Sequence, residues 1–394
     1  MTNADRWLLP DGVEEILPVQ AQRIERLRGR LVDLYRCWGY DLVIPPLVEF
    51  TDSLLIGLGR DVDLMTFKVT DQISGRTMGI RADITPQTAR MDAHSFVRQG
   101  PSRLCYAGHV LHTKPKHALA TRTPIQAGAE LYGEPGLDAD IEVVSLLLAS
   151  LQALNLPKLH IDLDHVGIYR SLAATAGFNG EQEEAFFELL QRKAATEIKA
   201  WVADNISDVA IAELLLALPN LAGDRAILDS AKQSFAAVGA VAAVAAIDEL
   251  MQVADAVAAR FPAAQLYFDL SELRGYHYHT GIVFAAYAPG YGIAIANGGR
   301  YDQIGEVFGR ARPATGFTVD VSAVNSLALP LDVAVNGVFA AKSADLGQWQ
   351  AIENLRAQGE RVVCGFAGQE INRSELNCDR QLLLVDFEYQ VVSL

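Results

Sequence analysis

The apolar positions of the chain fall into a few distinct patterns. Between Pro18 and Trp38, Ile24, Leu27, Leu31, Leu34 and Tyr35 recur at three- and four-residue spacing with arginines opposite. That period predicts an amphipathic helix, closed by Gly39. Gly39 to Glu49 reads as a buried strand ended by Pro45-Pro46. Met65–Asp71 and Thr77–Ile80 read as paired strands turning near Ser74-Gly75. Arg103–His112 and Ile125–Gly133 flank a polar, basic middle with Pro115, which predicts two arms of an antiparallel hairpin joined by a long loop. Asp138–Ala149 carries acids in its first turn and reads as a helix; Leu159–His165 alternates and reads as a strand. From about Tyr169 to Phe261 alanine and leucine dominate at helical period. Glu181–Trp201, Asp208–Leu218 and Asp224–Arg260, the last broken near Gly239, are the helices expected there. Beyond Leu327, strands at Val333–Ala340, Val362–Phe366 and Gln381–Phe387 and a helix at Gln348–Gln358 predict a small α/β unit.

Polar residues inside these elements mark candidate chemistry. Along the second hairpin arm Gln126, Gly128 and Glu130 share one face, because strand side chains repeat every two residues. Gly128 would leave space for a ligand above the sheet. The plain alternative is a free-standing hairpin with its polar face to water. Asp83 before Thr85-Pro86 reads as a helix cap, with Pro at a first helical position. The run from Arg274 to His279 reads as a half-buried strand, and Gly298-Gly299-Arg300-Tyr301-Asp302 as a tight turn with a charged exit. His160 and Asp162 read as outward-facing strand residues rather than metal ligands.

Composition narrows the class. The 394 residues are half hydrophobic and about a fifth charged, which suits a globular cytoplasmic protein of more than one domain. No apolar run is long enough to span a bilayer, and no signal pattern opens the chain. The cysteines, Cys37, Cys105, Cys364 and Cys378, are scattered and read as small core residues without a metal site. A formal net charge of -15 argues against holding a large polyanion such as tRNA.

Several motifs carry a resemblance. The hairpin resembles motif 2 of class II aminoacyl-tRNA synthetases in its histidyl-tRNA synthetase version, whose Gln-x-Gly-x-Glu signature is intact as Gln126, Gly128 and Glu130. Gly39–Glu49 resembles motif 1, the homodimer element. Asp83 and Thr85 match the residues that hold the substrate ammonium in that family. Arg274, Gly275, Tyr278, Val283 and Phe284 match the signature Arg-Gly-Leu-Asp-Tyr-Tyr-x-x-x-Val-Phe, with His277 in place of the aspartate and His279 in place of the second tyrosine. Gly298 to Asp302 matches a run that lines the amino-acid pocket. Two departures stand out. His112 takes the place of the motif 2 arginine on the ATP α-phosphate, and Ala323 that of the motif 3 arginine stacked on ATP; Lys114 and Ser322 replace the neighbouring glutamates.

The resemblance implies an α+β fold, a synthetase-like antiparallel sheet flanked by helices over residues 1–326, with the helical insertion at about 169–261 and a small C-terminal domain over 327–394. It divides the functional readings. An active histidyl-tRNA synthetase, or a paralogue that modifies another macromolecule, needs the ATP clamp. The ATP phosphoribosyltransferase regulatory subunits, a histidyl-tRNA synthetase paralogue of histidine biosynthesis, do not. That family implies a chain with no catalysis and no cofactor, bound to the short catalytic phosphoribosyltransferase subunit in a hetero-octamer. It also implies feedback inhibition by histidine held at Asp83, Thr85, Gln126, Glu130, Arg274, Tyr278 and His279. In that assignment the ammonium meets Asp83, Thr85 and Gln126, the carboxylate meets Arg274, and the imidazole meets Glu130 with Tyr278 or His279.

Overall fold

The early 3.6-residue period becomes helix α1, Pro18–Cys37, which buries Ile24, Leu27, Leu31 and Tyr35. The next stretch departs from the expected buried strand. Only Asp41–Leu42 (β1) pairs with the hairpin, as a short parallel edge, while Val48–Phe50 (β2) joins a different sheet. Ile44 between them is 84% exposed, and Leu42, Leu47 and Val48 are exposed too. The proline pair lacks N–H donors and keeps this segment out of a ladder.

The computed structural model describes residues 7–56, 60–116, 120–156, 158–327, 336–367 and 373–394. Part of the hairpin loop (His117 to Leu119) and the first three residues of the strand expected from Val333 lie outside them. After β2 come α2 (Thr51–Leu54), α3 (Arg60–Met65), β3 (Phe67–Thr70), β4 (Thr77–Ile80) and α4 (Thr85–Arg90). Strands β2, β4 and β3 form a small antiparallel sheet in that order. The hairpin is β5 (Ser102–His109) and β6 (Ile125–Tyr132), antiparallel as expected, followed by α5 (Leu137–Ala153) and β7 (His160–His165).

The helical segment contains α6 (Val166–Thr175), α7 (Gly180–Gln191), α8 (Ala195–Asn205), α9 (Val209–Ala217), the short β8 (Ala222–Gly223), α10 (Ala226–Ala237) and α11 (Val241–Arg260). The single helix expected over Glu181–Trp201 is two, broken where Lys193 turns to a φ of +46°. Then follow β9 (Gln265–Asp269), β10 (Ile282–Tyr287), β11 (Ala294–Arg300), β12 (Ala314–Asp320) and α12 (Val321–Leu327). Residues 270–281 are turns rather than the expected strand, and Gly298-Gly299-Arg300 is strand rather than turn.

The large sheet runs β1-β5-β6-β12-β11-β10-β7-β9-β8. It is antiparallel through its centre and parallel at β1–β5 and β7–β9. Helices α1 and α5 pack on its hairpin half, and α11 packs on β7, α5 and α6. Tyr35 of α1 meets Phe317 of β12 edge to face, 5.8 Å between centroids. Phe317 pairs with Ala129, so this face holds the odd-numbered residues of β6, and Gln126, Gly128 and Glu130 lie on the other.

The chain divides into two units, Met1–Leu329 and Pro330–Leu394. The second contains β13 (Gly337–Ala340), α13 (Leu346–Ala357), β14 (Val362–Cys364), α14 (Arg373–Leu376), β15 (Cys378–Val385) and β16 (Glu388–Ser393), with strand order β14-β13-β15-β16. Val338, Ala340, Ile352, Val362 and Leu382 form its core. Cys105 and Cys378 are buried, but Cys37 and Cys364 are exposed, so only half the cysteines are core residues. Among the described residues no helix is long and apolar enough to cross a membrane, and no three His, Cys, Asp or Glu side chains cluster as metal ligands.

One buried ion pair fastens sheet to helix. Arg300 at the end of β11 donates from Nε and Nη2 to Asp140 of α5, at 2.9 and 2.8 Å to Oδ2. Both side chains are almost fully buried. Removing one partner strands the other's charge, which costs about 3–5 kcal/mol, whereas removing both costs much less. Asp140→Ala should therefore destabilise strongly in urea unfolding, and Asp140→Ala with Arg300→Met should recover much of the loss. Equal destabilisation of single and double variants would contradict this.

Candidate functional site

The face of the large sheet away from α1 and α5 floors a cavity of about 720 Å³. Its size is within the range of small-molecule sites, roughly 300–1,000 Å³. Six of the seven sequence-derived residues line it: Asp83, Thr85, Gln126, Glu130, Tyr278 and His279. Arg274 does not. It lines an adjoining pocket of about 70 Å³ that shares His279, Asn297 and Gly298 with the cavity. Its Nη1 donates to Asn297 Oδ1 at 3.2 Å, and its Nη2 to the Tyr287 hydroxyl at 2.6 Å and Glu272 Oε2 at 3.4 Å.

Glu130 is the deepest of the seven, with no exposed surface. Thr85 Oγ1 donates to its Oε1 at 2.8 Å and the Tyr106 hydroxyl donates to the same oxygen at 3.2 Å; the Tyr301 hydroxyl donates to Oε2. Gly316, across the β6–β12 ladder, makes room for this carboxyl, since a Cβ there would lie 1.6 Å from Oε2. Burial pushes the carboxyl up to about 8, against the pull of the three hydroxyls.

The space expected over Gly128 is filled. A Cβ on Gly128 would lie 2.4 Å from the hydroxyl oxygen of Tyr106, the residue paired with it on β5. That hydroxyl also meets Thr318 Oγ1 at 2.5 Å and Thr85 Oγ1 at 3.1 Å. The glycine serves a tyrosine of the protein, not a ligand.

Asp83 does not cap α4; the cap position is Ile84, with no side-chain hydrogen bond. Ile84 N donates to Asp83 Oδ1 at 2.7 Å and to Gln126 Oε1 at 3.2 Å. This holds the Gln126 carbonyl beside Asp83, with one oxygen lone pair left to accept. Arg81, buried, holds the segment by donating to the His109 and Pro45 carbonyls, both at 2.8 Å.

Tyr278 stacks on Tyr301 with centroids 5.3 Å apart. The His279 ring lies over Gly275, which at φ +65° would bring a Cβ within 2.5 Å of it. His279 Nδ1 is 3.2 Å from the Arg300 carbonyl, which can only accept, so Nδ1 carries the proton and Nε2 is left as an acceptor. Burial lowers this imidazole to about 4, so it is neutral near pH 7.

The other end of the cavity carries little positive charge. His112 is buried, donates from Nε2 to the Ala82 carbonyl at 3.0 Å, and is held low by burial and by Lys116. Ala323 has no polar group, and Ser322 Oγ accepts from Ile125 N at 3.1 Å. Lys116 lines the cavity and Lys114 does not. Asp162 is half-buried rather than outward and lines the Arg274 pocket with Asp164 and Glu272. Sequence reading missed Tyr106, Thr318, Asn297 and the specific part of Tyr301. The available signal was tyrosine directly across the ladder from glycine.

Because the folded-state carboxyl of Glu130 lies above its ordinary value, the native state holds a proton that the unfolded chain releases between about pH 4.5 and 8. Its contribution is complete below pH 4.5 and is lost as pH rises through 8. Glu130→Gln should thus flatten the decline of stability with pH by up to about 1.4 kcal/mol per pH unit in that window. Parallel pH-stability curves for the two proteins would refute a buried neutral acid here.

Comparison with known proteins gives the following. Residues 12–324 match the family model described as histidyl-tRNA synthetase, and residues 335–392 that described as ATP phosphoribosyltransferase subunit HisZ C-terminal domain. The chain is 64% identical to the ATP phosphoribosyltransferase regulatory subunit of Cellvibrio japonicus, covering 100% of this chain and 98% of that one. It is 57% identical to that of Saccharophagus degradans, with 100% of both chains covered. A crystal structure of an ATP phosphoribosyltransferase regulatory subunit/histidyl-tRNA synthetase from Bacillus halodurans C superposes with a TM-score of 0.81 at 26% identity, covering 94% of this chain and 95% of that one. The histidyl-tRNA synthetase of Nostoc sp. PCC 7120 gives 0.81 at 16% identity, with 98% and 97% covered, a likeness of fold alone.

Proposed function

The chain belongs to the family of ATP phosphoribosyltransferase regulatory subunits, and we propose that it senses free L-histidine for a catalytic phosphoribosyltransferase partner while charging no tRNA itself. One observation carries the reading. A single cavity keeps its amino-acid groups, Asp83, Thr85, Gln126 and Glu130, but presents His112 and Ala323 where the resemblance puts the two ATP-binding arginines. Adenylate formation develops charge on phosphate and needs preorganised cations. A neutral buried imidazole and a methyl group do not supply them.

In this reading Asp83, the Thr85 hydroxyl and the Gln126 carbonyl accept from the ligand ammonium. The imidazole meets Glu130, with the bare Nε2 of His279 and the Tyr278 ring beside it. Arg274 reaches the carboxylate by exchanging Asn297 and Tyr287 for it, two neutral acceptors for a charged one, while Glu272 Oε2 is its weaker contact at 3.4 Å. The partner is the short catalytic subunit of ATP phosphoribosyltransferase, in a cytoplasmic hetero-octamer of the kind the family implies. The chain's role there is activation plus feedback inhibition, conveyed by the difference in histidine affinity between two states. The apolar, exposed Leu42, Ile44, Leu47 and Val48 support a homodimer through this segment.

Calorimetry of the full chain tests the site. L-histidine should bind and ATP should not. Glu130→Ala leaves hydroxyls unpaired and removes the imidazole partner, so affinity should fall about ten- to a hundredfold. Unchanged affinity in both Glu130→Ala and Arg274→Ala would make the cavity a relic, and histidine-stimulated ATP–pyrophosphate exchange at a synthetase-like rate would restore the enzyme reading. For the dimer, Ile44→Glu places a charge in the apolar segment and should shift the light-scattering mass of the free chain from two copies to one; an unmoved mass would place the interface elsewhere.

A further inference from the structure

The segment from Arg274 to His279 has two sides. Tyr278 and His279 face the cavity. Tyr276 and His277 face the helical segment. The Tyr276 side chain is almost fully buried. Its ring stacks on Phe187 of α7 at 5.2 Å and meets Tyr169 of α6 edge-on at 5.3 Å. Its hydroxyl donates to Glu183 of α7. Arg170 of α6 covers the ring at 4.7 Å, and its Nη2 donates to two carbonyls of the segment, Tyr276 at 2.5 Å and His279 at 2.9 Å. His277 Nε2 lies 3.6 Å from Glu184 Oε2. Without these contacts the segment is a run of turns containing a left-handed glycine.

We infer that α6 and α7 set the conformation of the 274–279 segment, with Arg170 and Glu183 as positioning residues that fix the cavity's affinity without touching its ligand. Two donor contacts from one guanidinium nitrogen hold the backbone on both sides of Tyr278. The Tyr276–Glu183 bond then fixes the rotation of the segment about that grip. A segment so held presents Tyr278 and His279 in one arrangement, and the ligand loses no affinity to ordering it. Released, the segment is binding-competent only part of the time, and apparent affinity falls by that fraction. Tyr276 stands where the resembled signature has leucine, which has no hydroxyl to offer an acid. The inference rests on the cavity being an amino-acid site.

The test uses the full chain, with L-histidine calorimetry and hydrogen exchange of the peptides covering 274–279. Arg170→Met and Glu183→Ala should raise the Kd for histidine at least about tenfold at undiminished stoichiometry, corresponding to a competent fraction of about one in ten. Both should speed exchange of the segment in the free protein. Glu183→Gln keeps an acceptor for the Tyr276 hydroxyl and should stay within about twofold of the wild-type Kd. Reduced stoichiometry at unchanged Kd in Glu183→Ala would mean a structural role only and overturn the inference, as would unchanged Kd and exchange in both variants. If Arg170→Met does not fold, the Glu183→Ala and Glu183→Gln pair decides alone. Should the wild-type chain bind no histidine, the proposed function fails while exchange still decides the positioning: faster in Glu183→Ala but not Glu183→Gln upholds it, and equal rates in all three overturn it.

Discussion

A carboxyl group with no exposed surface organises this molecule's interior. Glu130 sits on β6, and its three hydroxyl donors come from α4 (Thr85), β5 (Tyr106) and the residue that ends the β11 ladder (Tyr301). A carboxyl taken out of water without partners is prohibitively costly, so these elements must converge for any of them to be stable. The convergence reaches further. Tyr301 carries the stacked Tyr278, and Thr85 opens the helix beside which Asp83 and Gln126 share the Ile84 amide. Even the ladder between β6 and β12 is adapted, with glycine at 316 where any side chain would strike the carboxyl. A site assembled around a buried acid is preorganised before a ligand arrives.

The cavity is chemically lopsided in consequence. One end offers acceptors and hydroxyls for a small ammonium-bearing molecule. The other offers a neutral histidine, an alanine and one exposed lysine. The fold agrees with synthetases, and His112 and Ala323 stand in the cavity at the two positions where the resemblance puts ATP-binding arginines. The overall charge of -15 weighs separately against a polyanion, since a chain that holds nucleic acid gains much of its affinity by neutralising phosphates. Neither fact alone separates an enzyme from a regulator, but both weigh against phosphate binding.

What the sequence made legible was local. Helix α1, the β3–β4 pair and the β5–β6 hairpin follow from periods read within one segment, and Gln126 and Glu130 share a face because strands alternate. The failures were non-local. Gly128 looked like room for a ligand because its occupant, Tyr106, lies on the neighbouring strand. Ile44 looked buried because apolar strands usually are, yet in the single chain it faces out. Gly298 and Gly299 read as a turn, although packing against Phe284 and His279 needs glycine in a strand. The partners of Arg274, Asn297 and Tyr287, lie on β11 and β10, outside the segment whose motif singled it out. Strand β16 was unforeseen because its turn, Asp386-Phe387, takes left-handed φ values of 47° and 65° without a glycine or asparagine to announce it.

Two of these contacts, Arg274 with Asn297 and His279 with Gly299, start from the segment between β9 and β10. It carries Arg274 toward the small acidic pocket, Tyr278 and His279 toward the cavity, and Tyr276 into the helices. A ligand that engages Glu130 with one end and draws Arg274 to the other must act on both sides of this segment at once. Whatever free energy the ligand gains from the ordered segment, the segment gains from the ligand, because coupling between two equilibria is reciprocal. A loop anchored on one side to a helical segment and on the other to a buried carboxyl therefore links the two mechanically. Tyr278, stacked on Tyr301, carries the conformation of the segment to Glu130, and Arg170 carries it to α6.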